Sequence, residues 1–164
     1  MKAVAFLTII ACAFAQRMSQ MPQTGFSSAD VKLLSEYRLT MDNVTKMALA
    51  AKSLNQTVAN DPSLAKNLQG NGNQSLETFI QRLNESPPKV ITSITGAGLS
   101  THDYVLTLTA LLLSEKGNRL REQGKLHALI PGMSAENLKF VATHKPQIKS
   151  LMTAVSRKPE RKAL

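Results

Sequence analysis

The best-placed residues for chemistry in this 164-residue sequence are His102, Asp103 and Tyr104. They follow Ser100, whose spacing to Asp103 is that of a capping box with Asp in place of Glu, so the three stand in the first turn of a helix. The free backbone N–H groups and the dipole of such an end favour an anion. His102 there is able to donate to a phosphate or carboxylate, or to shuttle a proton. With Asp103 or Glu136 it would form the acid–base pair of a small hydrolase or lyase. The plainer reading is that Asp103 caps, Tyr104 packs and His102 is solvated. Geometry separates the two, because catalysis requires His102 and a carboxylate to converge in one cleft.

Other reactive constellations are missing. His102, His127 and His144 are the three histidines, and none forms the four-residue pairing that sets two imidazoles on one helical face. A metal site of sequence-local ligands is therefore not expected, although a distant set with Asp103 or Glu136 could be assembled by the fold. No haem attachment motif or nucleophile elbow occurs. Gly70-Asn71-Gly72 and Gly96-Ala97-Gly98 lack the flanking strand and Lys-Ser/Thr ending of a phosphate loop, so they read as helix terminators. Paired carboxylates for glycoside hydrolysis are disfavoured, since the 11 acids fall mostly at exposed helical positions. No cofactor is expected. Asn43, Asn55, Asn73 and Asn84 begin Asn-x-Ser/Thr matches, which are candidate glycan sites in a eukaryotic secretory protein and meaningless in a bacterium.

The first fifteen residues limit the chemistry further. Lys2 gives a positive start, Ala3 to about Ala11 an apolar segment, and Ala13-Phe14-Ala15 a small-x-small cleavage pattern before Gln16, together an export signal. The apolar run is shorter than the ~20 residues of a permanent membrane span. Cys12 after Ile9-Ile10-Ala11 also fits a lipobox, so lipidation at Cys12 is the alternative to cleavage after Ala15. Cleavage removes the only cysteine, and with it thiol catalysis and disulfides. The exported domain is then held by its packed core alone.

The chain carries 20 Lys and Arg against 11 Asp and Glu, a formal charge of +9, or +8 without residues 1–15. Arg157, Lys158, Arg161 and Lys162 concentrate it in a basic tail, a candidate binder of anionic surfaces. With no Trp, 2 Tyr and 5 Phe, the chain lacks the exposed rings of single-strand nucleic-acid platforms and carbohydrate grooves, so nucleic acid is not an expected partner.

The elements that must position these residues read as helices. Residues 16–28 form a flexible leader without apolar period, and 29–37 a short helix or an extended arm. Thr40 caps a helix ending near Asn60, with Leu39 and Val44 as a hydrophobic staple and Val44, Met47, Ala48, Ala51, Leu54 and Val58 as its apolar stripe. Asp61-Pro62 starts a short helix to Gln69, Ser75 caps another carrying Leu76, Phe79, Ile80 and Leu83, and Ser86-Pro87 begins one to Thr95. Ser100 opens the central helix of about residues 101–123, apolar on nearly every side from Tyr104 to Leu113 and closed by Gly124. Leu99 with Tyr104, and Met133 with Leu138, repeat the staple. Ser134 caps a last helix with Leu138, Val141, Ile148, Leu151, Met152 and Val155 inward and Pro146 as a bend or a second start.

No alternating strand pattern of useful length appears. The expected fold is all-α: one domain over residues 29–156 of five to six short helices around the central one, followed by a disordered basic tail at 157–164. Leu39 to Val44, Ala97 to Thr107 and Asn137 to Val141 resemble a family of small exported bacterial all-helical proteins of unknown function. The matching segments are caps, staples and core, so the resemblance implies a shared helical fold and carries no site residues. The leading functional expectation is a non-enzymatic binding or accessory protein of the bacterial periplasm or cell exterior, serving an envelope protein or an anionic surface and offering a broad apolar groove or flat patch rather than a deep polar pocket.

Overall fold

A computed structural model describes residues 26–68 and 75–156. The helices run α1 (Ser28–Glu36), α2 (Met41–Asn60), a 3-10 turn (Pro62–Leu64) leading into the single-turn α3 (Ala65–Leu68), α4 (Leu76–Asn84), α5 (Pro88–Thr95), α6 (Thr101–Glu122), α7 (Ala135–Thr143) and α8 (Lys145–Ser156). The described residues contain no strand, and none of their helices is long and apolar enough to cross a membrane. The export segment 1–15 with Cys12, the Gly70-Asn71-Gly72-Asn73 loop, and the tail with Arg157, Lys158, Arg161 and Lys162 lie outside the described residues.

The helix starts follow from local chemistry. The side chains of Thr40, Ser75, Ser100 and Ser134 each accept a hydrogen bond from the backbone N–H three residues on, at 3.1, 3.2, 2.9 and 3.3 Å. Each satisfies a first-turn donor that has no partner within its helix. The staple positions Leu39, Val44, Leu99, Tyr104, Met133 and Leu138 are all buried, so each entering segment is fixed on both sides of its cap. The stop of α6 is set at Gly124, whose φ of 67° lets Lys125 N–H reach back to Leu120 O at 2.8 Å.

α6 is the centre of the core. Every residue from Tyr104 to Leu111 is buried, with α2, α4, α5 and α7 packed around the helix. α2 turns Val44, Met47, Ala48, Ala51 and Leu54 inward and also packs on α5 and α8. Gly117 lets α7 come close to α6: a Cβ there would lie 2.6 Å from both Leu138 Cδ2 and Met133 Sδ.

Several boundaries depart from the sequence reading. The leader expected to reach Ser28 gives way earlier. Ser27 and Asp30 form a reciprocal capping box, Ser28 is the first residue of α1, and Phe26 already packs against the core. The uncertain 29–37 element is thus a helix, ending at Glu36. At α5 the proline pair shifts the start by one residue: Pro87 is the cap and Pro88 the first helical residue, while Ser86 donates its hydroxyl back to Arg82 O. The last helix is two. α7 ends at the His144 cap and α8 restarts at Lys145, with Pro146 in its first turn, where a missing N–H costs nothing. The helices consequently outnumber the five to six expected.

Candidate functional site

The N-terminus of α6 has the local geometry expected of a cap. Ser100 Oγ donates to Asp103 Oδ2 at 2.7 Å and accepts from Asp103 N–H at 2.9 Å. His102 Nδ1 lies 3.8 Å from the other carboxylate oxygen, with both side chains about half exposed at 47% and 48%. Tyr104 is buried, and loss of solvent pushes its phenol well above the usual tyrosine range. Glu136, in the first turn of α7, accepts from Ser134 Oγ at 2.9 Å and stands 3.7 Å from Arg38. Its own backbone N–H, then Ser134, then Arg38 hold its carboxyl below the usual range. Among the described residues no hydrogen bond or ion pair joins Glu136 to His102 or Asp103. His127 is exposed, and His144 is engaged with Phe140 O through Nδ1 at 2.9 Å. No group of three or more potential metal ligands occurs among the described residues.

Most buried polar groups elsewhere hold the chain to itself. Asp30, only 3% exposed, accepts from Ser27 N–H and from Leu76 N–H, so one carboxylate ties the starts of α1 and α4 together. Asn137 behaves as a strand partner for the connection between α1 and α2: its Oδ1 accepts from Leu39 N–H at 2.9 Å and its Nδ2 donates to Tyr37 O at 2.8 Å. The Tyr37 hydroxyl meets Thr107 Oγ1 at 2.7 Å and accepts from Asn43 Nδ2 at 3.2 Å. Asn43, the first of the glycan matches, therefore has its amide nitrogen in use inside the fold.

A different site emerges where α8 stands away from the second half of α6. Their facing stripes, Glu115, Asn118, Arg119 and Glu122 on α6 and Lys145, Ile148, Lys149, Met152 and Thr153 on α8, line a groove of about 580 Å³ with Val141 and Ala142 of α7. The spacings of three and four residues set each stripe on one helical face. Val141 and Ile148 are almost fully buried and form the floor. Lys145 bridges the groove to Glu122 at 2.7 Å. That hydrogen bond and its charge hold Glu122 below the usual carboxylate range. Partial burial pushes the Glu115 carboxyl up, against the opposing pull of Arg119 and Lys145. In the wall, Asn118 is 6% exposed and donates through Nδ2 to Leu138 O at 2.9 Å. Its Oδ1 is buried and accepts no hydrogen bond from the described residues, a condition that costs about 1–3 kcal/mol where no water reaches it.

A second cleft, of about 560 Å³, lies between the end of α2 and α5, lined by Ser53, Thr57, Asn60, Asp61, Pro88, Lys89, Thr92 and Ser93. Its polar groups serve one another: Thr57 and Ser93 hydroxyls meet at 2.8 Å, and Ser93 donates to Lys89 O at 2.8 Å. The α6–α7–α8 groove alone of the two combines an apolar floor, charged rims and an unpartnered buried acceptor.

The sequence pattern names the groove's parts without joining them. Glu115, Arg119 and Glu122 read as the wet end of the central helix, and Val141, Ile148 and Met152 as one buried face of the last. The break at His144 turns that face into a floor and a wall. No family model, curated protein or solved structure matches the chain.

Proposed function

We propose that this chain is a non-enzymatic binding or accessory protein exported to the bacterial periplasm or cell exterior, with the α6–α7–α8 groove as its binding surface. The observation that carries this reading is the groove's make-up: a volume of about 580 Å³, an apolar floor of Val141, Ala142, Ile148 and Met152 and a polar rim of charged side chains, a concave surface of the size that takes small ligands. Export is supported by the Lys2, apolar-segment and Ala13-Phe14-Ala15 pattern, and kinship by the resemblance of its caps and staples to small exported helical proteins. The His102–Asp103 pair favours no enzymatic alternative, because Asp103 is already committed to Ser100 and no second carboxylate joins it among the described residues.

Titration of the full-length protein, purified from an envelope extract, with the neutral apolar dye Nile red tests this. Saturable one-to-one binding is expected, lost at least about tenfold when the exposed groove residue Ala142 is replaced (Ala142→Trp) and the helical melting curve is retained. The same preparation, weighed intact, is expected to begin at Gln16. Non-saturable dye uptake, or an Ala142→Trp variant that binds as before, refutes the groove; a chain retaining residues 1–11 refutes export.

A further inference from the structure

The groove's rims are charged unevenly, and the imbalance selects among ligands. Three cations, Arg119, Lys145 and Lys149, face two carboxylates, Glu115 and Glu122. Lys145 and Glu122 neutralise each other at 2.7 Å, which leaves Arg119 and Lys149 against Glu115 alone. Lys149 has no carboxylate within ion-pair distance among the described residues, and it sits one turn beyond Lys145 on the wall that carries Ile148 and Met152. A cationic head placed there would meet two like charges, and a neutral one would leave Lys149 without a counter-charge. The formal charge of +9 over the whole chain acts in the same direction, drawing anions toward the protein.

Resting on the reading of the groove as the binding surface, we infer that its ligand is a small amphipathic anion. The apolar body lies along the half-buried Met152, over the floor that Ile148 closes, and a carboxylate or phosphate head is held by Lys149 and Arg119. Such a head gains charge-assisted hydrogen bonds, and its apolar part leaves water by covering carbon that the fold keeps open.

Calorimetric titration of the full chain with dodecanoate, dodecyltrimethylammonium and dodecanol, each below its aggregation concentration, decides the matter. Dodecanoate is expected to bind at least about tenfold tighter than the other two, and Lys149→Gln and Arg119→Gln each to weaken it by about tenfold. Both variants should keep the wild-type helical melting curve, so that the loss is one of binding and not of fold. Neutralising the tail (Arg161→Gln with Lys162→Gln) should leave dodecanoate binding unchanged. The inference is overturned if head charge makes no difference while Nile red still saturates, if the loss follows the tail variant, or if a Leu/Glu amphipathic peptide binds and dodecanoate does not. Failure of Nile red itself is a separate result, which removes the groove reading beneath it.

Discussion

The two halves of α6 belong to one helix and serve opposite ends. From Tyr104 to Leu111 every side chain is buried, including Thr107 and Thr109, whereas from Leu112 onward buried positions alternate with open ones and the open face carries Glu115, Arg119 and Glu122. The first half is where burial stabilises the fold, because every one of its side chains is withdrawn from water within a helix that packs against α1, α2, α4, α5 and α7 along its length. The second half is where the helix gives up neighbours, and the groove opens beside it. Substitutions should fall unequally on the two. Leu111, 1% exposed, is expected to cost about 2–5 kcal/mol as Leu111→Ala, since both its transfer from water and its packing volume are lost. Arg119→Ala should stay within about 0.5 kcal/mol. Urea unfolding midpoints measure both, and equal losses would erase the distinction between the halves.

Gly117 tests how the halves are joined. Its missing Cβ admits Met133 Sδ, Met133 Cε and Leu138 Cδ2 to within 2.7 Å of where that carbon would stand. A helix interior normally gains about 1 kcal/mol when Gly becomes Ala. Here overpacking costs about 1–3 kcal/mol, so Gly117→Ala should lower the melting temperature. The displaced atoms are side-chain ends of the α7 approach, and Leu138 also offers its carbonyl to Asn118, so Nile red affinity should shift with stability. A variant more stable than wild type would mean that α7 has slack against α6 and that the groove wall is not fixed by this approach.

The difference between the halves also explains what could be read from the sequence. Caps and staples are local: Thr40, Ser100 and Ser134 each act within three residues, and the flanking apolar pairs within five, so α2, α6 and α7 begin where the pattern puts them. The continuous apolar run from Tyr104 likewise marks a helix enclosed on all sides. Three features depend on partners far along the chain and left weaker traces. Asp30 reads as an ordinary polar residue until Leu76, 46 positions on, supplies the N–H it accepts. Asn137 shows its role only when the connection from Tyr37 to Leu39 is laid beside it. The groove depends on where α8 goes after His144, and periodicity treats α7 and α8 as one stripe. His102 and Asp103 stood out because their residue types are reactive, and type alone says nothing about what lies opposite them.

The smallest effect is the most specific to the second half. Glu115 stands at the groove edge with its carboxyl raised by burial, while Arg119 and Lys145 pull the other way. In the unfolded chain that carboxyl titrates in its ordinary range. At pH 7 both states are ionised, and the native state alone bears the desolvation cost, so Glu115→Gln should be slightly more stable than wild type. As pH falls through the raised native value, the folded protein takes up its proton first and the wild type recovers. Below the unfolded value both states are protonated and the difference closes. Because the side chain is partly open to solvent, the effect is small and is best read as a difference between paired urea midpoints at pH 7 and at about pH 3. A variant less stable than wild type at pH 7 would show that the attraction of Arg119 outweighs burial. Glu115 would then be a firm anion at the rim, and the case for an anionic ligand would weaken with it.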